Sequence, residues 1–282
     1  MIYSNPLRTD NNQEIEFEVS FEIKGFKISI VEFNQELKKL MTCSTVKFHG
    51  PSSFSYDRKT DDVHREALAS NHIIIFEYSS DNEFIKRFKS YEFKNLINRI
   101  SSLIFENGTH IIYTSNNGMK SFGSIRSNHR YLNRPYANLS KKNLKDFIEI
   151  SKKSIEQFGA NKRNEALLSL FELSQLYGNP KGLRCSLLVT ILESLFAPSS
   201  PELKFKYSMR LTKHLKGDKE LFNFLKSTYN KRSSYYHRGD DKFSHEDESK
   251  LIKIANGVIR EYIRDKSNID IEKLDDSMLS IN

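Results

Sequence analysis

Hydrophobic and polar positions change their period near residue 135. Before that point they alternate. Ile15, Phe17, Val19, Phe21 and Ile23 fall at every second residue between Glu14 and Ser29. Gly25 breaks the pattern, and it resumes through Phe26, Ile28 and Ile30. A period of two is that of a half-buried strand, and the break predicts a hairpin. Leu40–Phe48, His72–Tyr78, Arg87–Phe93 and Leu103–Thr114 are further expected strands, with a helix between Phe93 and Ser101. Asn107-Gly108 and Asn117-Gly118 carry hairpin-turn chemistry. Arg130 to Ser140 loses periodicity around Pro135, which places a domain boundary there.

The pattern then turns helical. Ser140 caps a first helix ending at Gly159. The next run from Lys162 to Tyr177, from Lys181 to Phe196, and from a Ser200-Pro201 start to Gly217. Asp218 opens a helix that Gly239 closes, and the last spans Asp247 to Lys266 with an apolar stripe of Leu251, Ile254, Val258, Ile259, Tyr262 and Ile263. Six helices with short links predict an antiparallel bundle. The helix Lys181–Phe196 is apolar nearly all round and therefore central. Glu193, its single acid, needs a cationic partner, with Arg184, Arg210 and Arg232 as candidates. The expected fold class is α+β: a β-rich domain over residues 1–135, a helical bundle over 140–268, and a weakly ordered tail over 269–282.

Composition supports packed cores: 38% of residues are hydrophobic, and 20 Phe and 13 Tyr supply volume. No run reaches the length of a membrane span, and the first residues lack a basic-then-apolar signal pattern, so a cytoplasmic protein without a membrane partner is expected. Cys43 and Cys185 fit neither a disulfide framework nor a zinc spacing, and the scattered histidines His49, His64, His72, His110 and His129 show no metal-ligand pattern. No metal or other cofactor is expected. The net charge of +8 is concentrated. From Lys204 to Arg238, ten Lys and Arg face two acids, Asp218 and Glu220. Such a window is the electrostatic footprint of a polyanion binder, although a solvated lysine-rich helix surface reads the same way.

Within that window lies Tyr229-Asn230-Lys231-Arg232-Ser233-Ser234-Tyr235-Tyr236-His237-Arg238-Gly239. Leu221, Leu225, Tyr229, Arg232 and Tyr236 recur at helical spacing, which puts a guanidinium on a core-facing stripe. His237, whose side-chain class titrates nearest neutrality, ends the helix. An Arg followed after four to six residues by His also occurs at Arg58–His64, Arg65–His72 and Arg238–His245, so spacing alone is uninformative. Only Arg232–His237 begins on an amphipathic helix.

Together with Leu187–Phe196 and Lys206–Leu211, this stretch resembles a HEPN domain (higher eukaryotes and prokaryotes nucleotide-binding) of the Apea-like kind, over residues 140–266. The resemblance implies a dimerising helical bundle, often a metal-independent ribonuclease of phage-defence, abortive-infection or toxin systems. It implies Arg232 and His237 as the catalytic pair, with Glu193, Arg210 and Tyr229 at family-typical positions. Ser233 and Arg238 depart from the family's usual residues, which leaves room for an inactive relative. The β-rich domain would then take the place of a sensor for a phage-derived trigger.

The chemistry implied is attack by the RNA 2′-hydroxyl. His237 would move the proton and Arg232 would hold the phosphate oxygens. A homodimer would bring two Arg–His pairs into one cleft, supplying an acid and a base on opposite sides of the phosphorus. Tyr229, Ser233 and Tyr236 would position the phosphate. Lys231, Arg238 and the neighbouring lysines would hold RNA, transfer RNA among the candidates. Two alternatives stay open: a non-catalytic RNA- or nucleotide-binding module, and a purely structural dimerisation domain.

Overall fold

The computed structural model describes residues 19–24, 26–32, 72–78, 90–105, 113–116, 119–122, 141–175, 179–197, 202–266 and 269–279. The chain forms two compact units, Met1–Glu156 and Gln157–Asn282.

The first unit is built on a five-stranded sheet: β1 (Val19–Ile23), β2 (Phe26–Glu32), β3 (His72–Tyr78), β4 (Tyr113–Asn116) and β5 (Met119–Phe122), in that spatial order. The expected hairpin is present. Ile23 pairs with Phe26, and Lys24 takes a positive φ of 48°. Asn116 pairs with Met119, and the turn expected at Asn117-Gly118 lies outside the described residues. β3 and β4 are parallel, and their connection carries helix α1 (Ser90–Phe105), as a parallel pair requires a crossover.

That helix contains the one expected at Phe93–Ser101 and corrects the neighbouring expected strands, Arg87–Phe93 and Leu103–Thr114, over Ser90–Phe93 and Leu103–Phe105; Tyr113 and Thr114 of the second do lie in β4, and residues 87–89 and 106–112 lie outside the described residues. Leu96, Ile97, Ile100, Leu103 and Ile104 are all buried, and they follow the helical period rather than the alternating one. The strand expected at Leu40–Phe48 and the turn at Asn107-Gly108 lie outside the described residues.

Helix α2 (Lys141–Glu156) corrects the domain boundary. It belongs to the first unit, so the division falls after Glu156 and not at residues 135–140. Its buried face of Leu144, Phe147 and Ile150 packs on β1 and α1, with Phe147 edge-on to Phe21 at 6.4 Å. Lys24 donates to the terminal carbonyl of Glu156 at 3.1 Å. Among its described residues this unit has two sixteen-residue helices beside five short strands, a mixed rather than β-rich make-up.

The second unit is all helical among its described residues: α3 (Lys162–Ser174), α4 (Lys181–Phe196), α5 (Leu203–His214), α6 (Lys219–Arg238), α7 (His245–Arg264) and α8 (Ile271–Leu279). α4 buries Cys185, Leu187, Leu188, Val189, Ile191, Leu192, Leu195 and Phe196, and it packs against α3, α5, α6 and α7. It is the central element its sequence predicts. Ends follow local chemistry. Asp218 accepts from Leu221 N–H at 2.9 Å, and Gly239 closes α6 at φ 73°, a left-handed cap that disfavours side chains. α7 begins two residues earlier than expected because Ser244 and Asp247 form a reciprocal capping box. α5 starts at Leu203 after a left-handed Glu202, so the expected Ser200 cap is not the one used. No helix among the described residues is long and apolar enough to cross a membrane.

The tail expected to be weakly ordered carries α8, packed on α5. Its anchor is Asp275, whose two oxygens accept from Arg210 Nε at 2.7 Å and Nη2 at 2.6 Å. These bonds hold the Asp275 carboxyl below its usual range against the small opposing effect of desolvation. A carboxylate with a depressed folded pKa contributes stability above its unfolded pKa and loses that contribution as pH falls through the folded value. Asp275 is 43% exposed, and solvent screening limits the effect. Asp275→Asn is expected to cost the helical unit about 1 kcal/mol at neutral pH, with the difference from wild type shrinking below about pH 4; urea titrations at both pH values check this.

Candidate functional site

α6 carries the motif on two different faces. Leu225 and Thr228 are its buried residues, and Tyr229, Lys231, Arg232, Ser233, Ser234 and Tyr235 are half-buried. Tyr236, expected on the core stripe, is 48% exposed. His237 is exposed. Residues five apart on an α-helix point about 140° from each other. Arg232 therefore faces inward while His237 faces solvent, and the pair does not converge within one chain.

Arg232 is held from several directions. Its guanidinium carbon lies over the Tyr229 ring at 5.6 Å and over the Tyr236 ring at 5.2 Å. Such cation–π contacts are each worth roughly 0.5–2 kcal/mol, depending on desolvation. Nη2 lies 3.2 Å from Glu193 Oε2, near enough for an ion pair. The alignment is poor: both Glu193 Oε2 and Arg232 Nε are buried without a well-formed hydrogen bond. Beneath them Tyr207 is fully buried, its ring 5.9 Å from that of Tyr229. Its hydroxyl lies near Thr228 but completes no bond of good geometry. Burial raises its pKa above the ordinary phenol value; Thr228 opposes this and the Glu193 charge adds to it. Glu193, Tyr207 and Arg232, from three helices, thus form one buried polar cluster with unused hydrogen-bonding capacity.

The three arginines weighed as partners for Glu193 go to three different acids. Arg184 pairs with Glu248 at 2.7 Å, Arg210 with Asp275, and Arg232 with Glu193. Arg210 is 5% exposed and also donates to Phe196 O at 2.8 Å. It is a clasp between α5, α4 and α8 and does not join the Arg232 cluster. Lys231 donates to Asp247 at 2.7 Å and so braces the α7 cap. Burial pushes the Asp247 carboxyl up, but Lys231 and the Ser244 N–H and hydroxyl outweigh it and hold the group below its usual range. Arg238 is exposed and donates to Ser234 at 2.9 Å. The basic window is accordingly not one free cationic face, since Arg210, Lys231 and Arg232 are engaged internally.

Gly182 at the start of α4 lets the Tyr235 ring approach; a Cβ there would overlap that ring. Cys185 is buried, and burial followed by the Glu248 charge pushes its thiol up to about 12, which makes it an inert core residue. Cys43 lies outside the described residues, as do His49, His64, His110 and His129. Among the described residues no three His, Cys, Asp or Glu side chains form a metal-binding group.

Tyr207 was not singled out by the sequence. Its position on a buried stripe with Leu211 marks it as core, but only the tertiary packing sets its ring against Tyr229 and its hydroxyl within the influence of the Glu193 and Arg232 charges. No family model matches the chain, and no curated protein or solved structure is similar to it.

A double-mutant cycle of Glu193→Ala and Arg232→Ala measures how closely the two charges are joined. A coupling of about 1 kcal/mol is expected for a half-buried, imperfectly aligned pair; a value near zero would show that the tyrosines alone hold the guanidinium.

Proposed function

We propose that the helical unit is a HEPN-type, metal-independent endoribonuclease whose active site is shared between two copies of the chain. The observation that carries this reading is the form of α6. A non-titrating cation is fixed by Tyr229, Tyr236 and Glu193, and an exposed imidazole follows at its end. Fixing the guanidinium in advance lowers the cost of placing its fork against a phosphate. His237 has solvent access to take or give a proton. Since the two side chains point about 140° apart on one helix, a second copy is needed to set a His beside an Arg.

In the proposed reaction the 2′-hydroxyl attacks the adjacent phosphorus. One His237 accepts its proton, and the His237 of the other copy protonates the departing 5′-oxygen. Arg232 stabilises the charge on the non-bridging oxygens. The product ends are a 2′,3′-cyclic phosphate and a 5′-hydroxyl. A phage-derived trigger acting at the N-terminal unit and a cytoplasmic setting belong to the same proposal.

The second reading, an RNA-binding module that does not cut, is favoured by the Glu193 ion pair, which already occupies one end of the guanidinium.

Purified protein incubated with total cellular RNA in EDTA separates the two. Cutting to cyclic-phosphate ends is expected, with a loss of at least about a hundredfold in His237→Ala and a comparable loss in Arg232→Lys, which keeps the charge but not the fork. Binding without cutting by the purified protein, together with no difference between wild type and Arg232→Ala in cells under phage challenge, would establish the second reading.

A further inference from the structure

α6 presents a second, uninterrupted polar stripe. Lys219, Asn223, Lys226, Asn230, Ser233 and His237 fall at alternating spacings of four and three, so they share one helix face. All are exposed except Ser233, which is half-buried, and none is acidic. Lys226 lies eleven residues before His237, within about 20° of the same direction and ~16 Å along the axis.

Beside the Lys226 end sits an aromatic pair. Phe205 on α5 is 48% exposed. Its ring meets that of Phe222 edge-on, with centroids 6.1 Å apart and planes at 76°. Lys226 Nζ lies 5.9 Å from the Phe222 ring centre. A single exposed phenylalanine needs no explanation by itself, but this one is paired with a second ring and adjoins a cationic, acid-free track. Bases stack on exposed aromatic faces while phosphates follow basic side chains, whatever the sequence.

We infer that single-stranded RNA runs along this face of α6, with a base stacked on Phe205 and its phosphates on Lys219 and Lys226, so that the strand leads to His237. The inference takes its ligand from the ribonuclease reading. Its residues lie outside the Arg232 cluster, and it concerns binding rather than bond cleavage. The charge of the track favours RNA over a second copy of this basic chain as the occupant.

The test uses the full-length protein and a fluorescent dodecamer of 2′-O-methyl RNA, which lacks the attacking hydroxyl and so reports binding alone. Phe205→Ala is expected to weaken binding about tenfold, whereas Phe205→Tyr should bind like wild type. Lys226→Ala is expected to lower the slope of log Kd against log salt by about one. Circular dichroism melts check that each variant stays folded. Wild-type affinity in Phe205→Ala, or no binding by wild type, would overturn the inference. So would dissociation of Phe205→Ala into monomers in sedimentation, since the patch would then be covered by a second copy. Stacking with no cutting of natural RNA, by the purified protein and in cells under phage challenge, would leave this inference standing and remove the ribonuclease reading.

Discussion

The helical unit depends on one requirement: α4 is apolar nearly all round, so it has to be covered on every side. Four helices supply that cover, α3, α5, α6 and α7. The requirement also fixes the polar contacts. Glu193 rides on α4 and is 14% exposed, so the helix packed over it has to bring a cation. α6 brings Arg232, and the guanidinium stays partly solvated at 21% exposure between two tyrosine rings. Arg184 and Arg210 are drawn to other acids, Glu248 and Asp275. The position of the candidate site thus follows from core packing, with Arg232 tethered by the same contact that satisfies Glu193.

Much of the helical unit was legible because its signals are local. Asp218 and Gly239 bound α6 through capping geometry that involves only neighbouring residues. The period of α4 announces a central helix without reference to its neighbours. The misreadings have a common origin in contacts between distant residues. The helix expected at Phe93–Ser101 is present, but its ends at Ser90–Phe93 and Leu103–Phe105 contain short apolar runs that suit a strand locally, and packing against α2 carries the helix through them. The sequence 269–282 lacks a strong stripe, and α8 is held by Asp275 reaching a buried arginine 65 residues away. Pairing of three arginines with three acids is likewise tertiary. On the helix predicted up to Gly239, the five-residue spacing of Arg232 and His237 already sets them about 140° apart, whereas the side that the core covers is decided by tertiary packing.

That divergence shapes the functional account. A helix displaying its cation inward and its imidazole outward has no complete site of its own. Two such helices facing each other across a symmetric dimer have two sets of complementary groups. Phe205 and the lysine track lie on the His237 side of α6, and an RNA strand held there would be offered to the imidazole before it met a guanidinium. On this account, Arg232 of one copy and His237 of the other act on one phosphate.

Mixing wild type with an inactive variant tests that sharing most directly. Wild-type and His237→Ala proteins are combined in equal amounts, allowed to exchange subunits, and assayed for RNA cutting in EDTA. The cleft needs the His237 of both copies, so only roughly one dimer in four keeps a complete site, and cutting is predicted to fall to about a quarter of that of the same total amount of wild type. If subunits exchange and about half of the activity remains, each chain cuts on its own, and the shared site is wrong.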